Sequence, residues 1–278
     1  MYVVVDGVFY PADTPSLSIE NRAFKYGDGL FESIRIKNRN ACFLKDHIAR
    51  LSEGMKVLRI EAPEEFSFEY FDQKIKELID RNEISAGGRA RITVSRKPGG
   101  NYAPISSGYT YSLEVTTLDG NEYGLNNEGF VIDLYTEIKK PVNKISNYKT
   151  SSALPYVMAA IYAREKKLHD VLLVNDSNSI IESTNSNVFI VCNGVLYTPG
   201  LADGCIAGVM RMQVINIALE NKFKVYECSL MPQNLLIADE VFLTNAIKGL
   251  QWVVSYKQKR YFSKVTREIL GLLNDKTA

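Results

Sequence analysis

The chain has 278 residues, 46% apolar and 23% charged, with a formal net charge of +1. That length allows one large or two modest domains with a substantial core, and the charge balance speaks against a nucleic-acid surface or an acidic partner. No apolar run approaches the ~18 residues of a membrane span. Asp6 interrupts the stretch where a targeting segment needs its apolar region. Cys42, Cys192, Cys205 and Cys228 lie apart with no C-x-x-C pair, the pattern of reduced thiols in a cytoplasmic protein. With only His47 and His169 as histidines and no H-E-x-x-H cluster, no metal site is expected.

In chain order, residues 2–5 and 8–10 flank Asp6-Gly7, which predicts a hairpin. Residues 32–37 and 41–43 flank a second polar turn. Ile48, Leu51, Met55 and Leu58 recur at helical spacing, predicting a helix over 46–58, and a second amphipathic helix covers 66–79. Strands are expected at 89–95 and 109–117 around the Pro98-Gly-Gly100 loop. Residues 118–129, rich in Gly, Asn and acid, read as a linker. Beyond it come a strand at 130–135, a helix over 151–168 with Pro155 in its first turn, and strands at 171–174, 186–191 and 195–197. A helix over 206–219, strands at 224–228 and 240–243, and a helix over 266–273 complete the pattern. It describes two α/β domains with mixed sheets.

Five segments carry residues fit for chemistry. Asn21-Arg-Ala-Phe-Lys-Tyr-Gly-Asp-Gly-Leu-Phe-Glu-Ser-Ile-Arg35 sets Gly27 and Gly29 around Asp28, a tight turn before a strand. His47 and Arg50, in His47-Ile-Ala-Arg50-Leu51, share one helix face. Asn147-Tyr-Lys149-Thr-Ser-Ser leads from a loop toward a helix start, where hydroxyls can cap. Ile181-Glu182-Ser-Thr-Asn-Ser-Asn187-Val-Phe189 reads as strand, polar loop, strand. Gly204-Cys-Ile-Ala-Gly208-Val-Met-Arg211 opens a helix, and amides at a helix start form an anion site. Taken singly, each segment has a plain structural reading: a turn, a solvated helix face, a surface lysine, a loop carboxylate, a helix start.

Together, in this order and spacing, they resemble the class-IV aminotransferases, the fold type IV enzymes of pyridoxal 5'-phosphate (PLP). This family includes branched-chain and D-amino-acid aminotransferases and aminodeoxychorismate lyase. The resemblance runs from Asn21 to about Val254. It implies an α/β fold with a small N-terminal domain (1–118), a linker (119–128) and a larger C-terminal domain (129–278). It also implies PLP in the cleft between the domains, and a homodimer whose neighbouring subunit completes the substrate pocket.

The resemblance makes Lys149 the Schiff-base lysine. Lys144 competes, but the family lysine leads into a helix and then a strand opened by an acid. Counting back from Asp170, which opens Asp-Val-Leu-Leu-Val174, favours Lys149. The H-x-x-R-L arginine, Arg50, is implied at the PLP phosphate, with Gly208 and the amides of Val209 and Met210. His47 is implied as a structural neighbour and Arg211 as an ion-pair residue. Many relatives carry threonine where Met210 stands, so a hydroxyl contact is lost here. Glu182, in E-x-x-x-x-N-x-F, is implied at the pyridine nitrogen, with Ser186 and Asn187 also at the cofactor. Phe31, Arg35, Arg96, Tyr102, Asn245 and Ala246 are substrate-side candidates.

Two reactions stay open. Glu32-Ser33 suits an aminotransferase moving an amino group between an amino acid and a 2-keto acid, the favoured reading. Thr244-Asn245-Ala246 and the loop from Ser95 to Tyr102 resemble aminodeoxychorismate lyase, which releases pyruvate and 4-aminobenzoate. Asn101, however, stands where that loop usually carries arginine. A PLP-binding protein without turnover is disfavoured, because Arg50, Lys149 and Glu182 are all present. No G-x-G-x-x-G follows a strand, which excludes a Rossmann dehydrogenase. The expected partners are small molecules, with neither nucleic acid nor membrane.

Overall fold

The computed structural model describes residues 1–14 and 17–277. They divide into two compact units: unit 1 is Met1–Glu122 with Tyr148–Ser152, and unit 2 is Tyr123–Asn147 with Ala153–Ala278.

Unit 1 opens with β1 (Tyr2–Val5) and β2 (Val8–Pro11), joined through Asp6 and Gly7, both at positive φ. A two-residue hairpin requires that geometry. A short helix that the apolar pattern did not announce follows, α1 (Arg22–Tyr26). The Asn21 side chain caps it by accepting from Phe24 N–H, and Gly27 ends it in the left-handed region. Next come β3 (Gly29–Lys37) and β4 (Asn40–Ala41). β4 is shorter than expected because Phe43, at φ 55°, already caps the next helix. Helices α2 (Leu44–Val57) and α3 (Phe68–Arg81) and strands β5 (Gly87–Arg96) and β6 (Tyr109–Leu118) complete the unit. The sheet order is β2-β1-β6-β5-β3-β4, antiparallel throughout. Ile48, Leu51, Met55, Phe71, Ile75 and Leu78 from the helices share a core with Leu30, Ile34, Ile36, Ile92 and Leu113 from the strands. Strand alternation therefore turns Leu30, Glu32 and Ile34 toward the helices and Phe31, Ser33 and Arg35 to the opposite face.

Unit 2 begins with β7 (Phe130–Lys140), which runs past residue 135, where the apolar pattern fades. Helix α4 (Leu154–Glu165) starts later than residue 151, with Pro155 in its first turn. Strands β8 (Asp170–Asn175), β9 (Ile180–Ser183), β10 (Asn187–Cys192) and β11 (Val195–Thr198) follow. A 3-10 turn (Leu201–Asp203) precedes α5 (Val209–Glu220), which starts after Gly208 rather than at 206. The chain ends through β12 (Val225–Glu227), α6 (Pro232–Ile237), β13 (Glu240–Asn245), β14 (Gly249–Tyr256), β15 (Lys259–Arg260) and α7 (Lys264–Lys276). The sheet is mixed, ordered β12-β11-β10-β13-β14-β7-β8-β9, with β15 beside β14. β7 runs parallel to both β8 and β14. β9 also pairs with β10 through Glu182 and Asn187, which closes the path from β10 round to β9 into a ring. Two candidate site residues thus sit at the closing contact. The fold is the expected mixed α/β type.

Among the described residues, no helix is long and apolar enough to cross a membrane, and no group of three His, Cys, Asp or Glu side chains could hold a metal ion.

Candidate active site

In unit 1, Glu32 stands in the inward row of β3, 1% exposed in the core. Two side chains of α2 meet it. Arg50 donates from Nε to Oε1 (2.7 Å) and from Nη2 to Oε2 (2.5 Å), and His47 Nδ1 lies 2.7 Å from Oε2. The three-residue spacing of His47 and Arg50 puts both on one helix face, and that face looks at a buried acid, not at solvent. Burial disfavours the Glu32 anion, but the charges of Arg50 and then His47 outweigh it and hold the carboxyl at about 2. His47 is fully buried, and its Nε2 has no hydrogen-bond partner among the described residues.

Residues 148–152 lie against the start of β3. Phe31 N–H donates to the Lys149 carbonyl (2.9 Å), Ser151 N–H donates to the Gly29 carbonyl (2.9 Å), and Leu30 bridges Thr150. A Cβ at Gly29 would stand 2.5 Å from the Val94 carbonyl oxygen of β5 and 3.2 Å from Ser151 Oγ, so glycine suits this crowded position between β5 and the 148–152 segment. Lys149 thus sits at the centre of a tight turn in which Thr150 N–H donates to the Tyr148 carbonyl (3.1 Å), and α4 begins only at Leu154. Its Nζ lies 3.8 Å from the centroid of the Phe31 ring. Lys149 is half-buried, whereas Lys144 is exposed.

Three substrate-side candidates in unit 1 have definite surroundings. Arg96 is buried. It donates to Asp28 from Nε (2.9 Å) and Nη2 (3.2 Å), and to the carbonyls of Leu58 and Arg59. Arg22 shares Asp28 and also donates to the carbonyls of Gly99, Gly100 and Asn101, which fixes the loop after β5. Burial opposes the Asp28 charge, but these two arginines still lower its pKa. Arg35 is buried and donates to the carbonyls of Gly120 and Glu122. Tyr102, by contrast, is 89% exposed at the loop tip.

In unit 2, Glu182 is 2% exposed near the end of β9. Its Oε1 accepts from Lys140 Nζ (2.6 Å) and the Tyr156 hydroxyl (2.8 Å), and its Oε2 accepts from Ile206 N–H (2.8 Å). Burial, followed by the Glu182 charge, pushes the Tyr156 phenol pKa upward, so the phenol remains a donor. The carbonyl of Ile206 accepts from Asn187 Nδ2 (2.9 Å). One residue therefore ties the acid and the start of β10 to the turn that leads into α5. Gly208 caps α5 with no side-chain hydrogen bond, leaving the first amides of the helix, from Val209 and Met210, to an outside acceptor. A Cβ at Gly208 would stand 1.9 Å from Asn187 Oδ1, so only glycine fits that approach. Nearby, Ser186 Oγ donates to Asn185 Oδ1 and accepts from Asn245 Nδ2 (2.9 Å). Asn245 Oδ1 also accepts from the amides of Ile247 and Lys248, and the Ala246 carbonyl accepts from Tyr123 OH.

A buried acid joined to an amide-lined helix start suits a ligand with a basic ring and an anionic arm. Against known proteins, the profile described as amino-transferase class IV matches residues 29–256. The chain belongs to the class IV aminotransferase family. It is 28% identical to a D-alanine aminotransferase of Bacillus licheniformis, over 88% of this chain and 84% of that protein. It is 25% identical to an aminodeoxychorismate lyase of Vibrio harveyi, over 91% and 94%. Among solved structures, the T.th. branched-chain amino acid aminotransferase with pyridoxamine 5'-phosphate superposes with a TM-score of 0.87. At 22% identity it covers 98% of this chain and 92% of that one.

As a class IV aminotransferase, the protein is an enzyme, and its sequence pattern left some of the side chains around these candidate residues unmarked. Lys140 was hidden because the strand reading stopped at 135. Tyr156 falls within the helix expected over 151–168, where nothing in the spacing marks it. The signal for Glu32 was parity: it shares the inward row with Leu30 and Ile34, and an acid in that row needs a cation beneath it.

Proposed function

We propose that this enzyme is a PLP-dependent aminotransferase that moves an amino group between an amino acid and a 2-keto acid, with Lys149 as the residue that holds the cofactor. The observation that carries this reading is the junction at Ile206. Its amide binds the Glu182 carboxylate and its carbonyl binds Asn187, three residues before a helix start that no side chain caps. A ring nitrogen and a phosphate need those two features. The donor set fits PLP: an amine at Lys149, a buried carboxylate at Glu182, amides at Val209 and Met210, and a guanidinium at Arg50.

When bound, PLP supplies a pyridine ring that takes up the electron pair left as an amino acid loses its Cα proton. Lys149 would bind the cofactor covalently and then, displaced by the amino donor, carry the proton from Cα on its amine. Glu182, fixed by three donors, would hold the ring-nitrogen proton. Arg50 and the α5 amides would bind the phosphate, with Gly208 letting the backbone approach it and Ser186 and Asn187 shaping the adjoining loop. Phe31, beside the Lys149 amine, is the substrate-side candidate with the most direct support. The family resemblance further implies a cytoplasmic homodimer.

A second reading, aminodeoxychorismate lyase, is favoured by Thr244-Asn245-Ala246 and by the lyase relative. Product analysis separates the two. The aminotransferase should convert D- or L-amino acids with 2-oxoglutarate into glutamate and the matching keto acid. Release of 4-aminobenzoate from aminodeoxychorismate, without amino transfer, would overturn the first reading in favour of the second.

A further inference from the structure

Glu182 stands among donors of unequal kind. Its Oε1 accepts from Lys140 Nζ on β7 (2.6 Å) and from the Tyr156 hydroxyl on α4 (2.8 Å), and its Oε2 accepts from the Ile206 amide (2.8 Å). Lys140 balances the charge and is itself tied to the Ser146 carbonyl (2.9 Å). The Ile206 amide fixes the acid to the turn before α5. With these two in place the carboxylate is both neutralised and anchored. A carboxylate has about four acceptor sites, so Oε2 keeps capacity for a further donor. The Tyr156 hydroxyl is thus a third, neutral donor on an oxygen that already has an ammonium.

Packing gives no reason for that hydroxyl. Tyr156 lies in the first turn of α4, and its ring packs on the cluster that includes Tyr135, Ala159, Val171, Leu173 and Ile181. Phenylalanine would fill the same place. The Lys140 ammonium lies 5.5 Å from the Tyr156 ring centroid, a contact that phenylalanine would also keep. What the hydroxyl adds is charge withdrawal. Each hydrogen bond to a carboxylate stabilises its anion and lowers its affinity for a proton. Burial, and then the Glu182 charge, raise the phenol pKa, so Tyr156 donates and does not ionise. The nearby Cys205 thiol is pushed up by burial to about 12 and adds no charge.

We propose that Tyr156, acting through Glu182, attenuates the pull of that acid on the ring nitrogen of the cofactor. This rests on the reading of Glu182 as the partner of the ring nitrogen. Tyr156 is in this sense a positioning residue, since it acts on the ring only through Glu182. Lys140 and Tyr156 then have opposite effects although they share one oxygen. Without Lys140 the buried carboxyl loses its counter-charge, favours its neutral form and loses its hold on a protonated ring. Without the Tyr156 hydroxyl the counter-charge stays, and the anion offers more of its charge to the ring. Amino transfer runs in both directions, so the ring must return an electron pair as well as accept one. An acid partner of intermediate strength serves both directions.

The test measures the affinity of the full chain, stripped of cofactor, for PLP and for its 1-deaza analogue, in which carbon replaces the ring nitrogen. The ratio of the two affinities reads the hold of Glu182 on the nitrogen, because packing and phosphate contacts cancel in it. PLP should bind the wild type more tightly than the analogue. Tyr156→Phe should raise that preference by roughly three- to tenfold, with the analogue affinity nearly unchanged. Lys140→Met should lower it. Replacing Tyr156 by 3-fluorotyrosine, a stronger donor of nearly the same shape, should lower it also, and this variant serves if Tyr156→Phe fails to fold. A preference that falls in Tyr156→Phe would make the hydroxyl a plain anchor of the acid and overturn the proposal. A clear wild-type preference that Tyr156→Phe leaves unmoved would overturn the proposal alone. A wild type that binds both cofactors equally would refute Glu182 as the partner of the ring nitrogen, and the proposal with it.

Discussion

Glu32 in unit 1 and Glu182 in unit 2 are buried almost equally, 1% and 2% exposed, and each meets a cation. Their surroundings give them opposite tasks. Glu32 has basic side chains for partners, and both of its oxygens bind the Arg50 guanidinium, so the acid serves the cation by fixing its plane. Glu182 instead receives an ammonium, a phenol and a backbone amide from three different segments. There the donors serve the acid by fixing its position and sharing its charge. Burial with an ion pair marks both residues as unusual, but the identity and rigidity of the partners decide which member of each pair faces chemistry.

The sharpest break of this comparison is Glu182→Gln. If the acid is the working member of its cluster, proton removal from the substrate should slow by about a hundredfold or more. Single-turnover absorbance changes with a saturating amino acid measure it. An unchanged rate with cofactor fully bound would reduce Glu182 to a loop carboxylate.

Arg50→Ala has the next largest effect, on stability. It strands Glu32 in the core, which should cost about 3–5 kcal/mol in denaturant unfolding. Arg50→Met with Glu32→Gln removes both charges and should recover most of that, while cofactor affinity stays weakened by about 1.5–3 kcal/mol. Reconstitution with pyridoxal, which lacks the phosphate, should erase the affinity difference. Lys140→Met should weaken PLP and pyridoxal alike, because Lys140 acts through Glu182. A phosphate-dependent loss in Lys140→Met would reverse the roles given to the two clusters.

Acid sharpens the Glu32 side. Its carboxyl sits at about 2 in the fold against an ordinary 4.5, so its contribution to stability is complete above 4.5 and is lost as pH falls toward 2. The amount is roughly 3 kcal/mol. Burial raises the Asp170 pKa and gives the opposite slope, so the comparison must be wild type against Glu32→Gln at each pH. The two stabilities should converge as pH falls through this window. A difference that stays constant would mean that Arg50 and His47 do not hold Glu32 ionised.

The smallest change is Gly208→Ala. Its Cβ would displace the Asn187 side chain and loosen its hydrogen bond to Ile206, costing about 1 kcal/mol of stability and some PLP affinity. Wild-type affinity would mean that the α5 amides do not approach the phosphate.

Much of this fold was legible because its periods are clean. The Asp6-Gly7 hairpin, α2, α3, β5 and β6 follow alternation or helical spacing closely. β14 was missed because its polar residues Gln251 and Ser255 are buried while the apolar Trp252 and Val254 are only partly so, and the side-chain types therefore do not follow the burial. β7 was cut short where polar residues begin, and Lys140 was lost with its end. Of the candidate site, Lys149, Glu182 and Gly208 were singled out in the sequence by the family resemblance of their segments. Arg96 had the right residue type, but its donors go to Asp28 and two carbonyls, a long-range arrangement that no local spacing encodes. Arg89 and Arg91 drew no attention because alternating arginines on a strand resemble a solvated face. Only the fold sets the Arg91 guanidinium 4.0 Å from the centroid of the Phe31 ring.

The central claim is that Lys149 holds the cofactor. Holoenzyme treated with borohydride and digested should yield a single phosphopyridoxyl-modified peptide, with the added mass on Lys149. Lys144→Ala should leave that adduct in place, and Lys149→Ala should abolish it. Modification of Lys144 or Lys140 in the wild type, or an adduct that survives Lys149→Ala, would contradict the account.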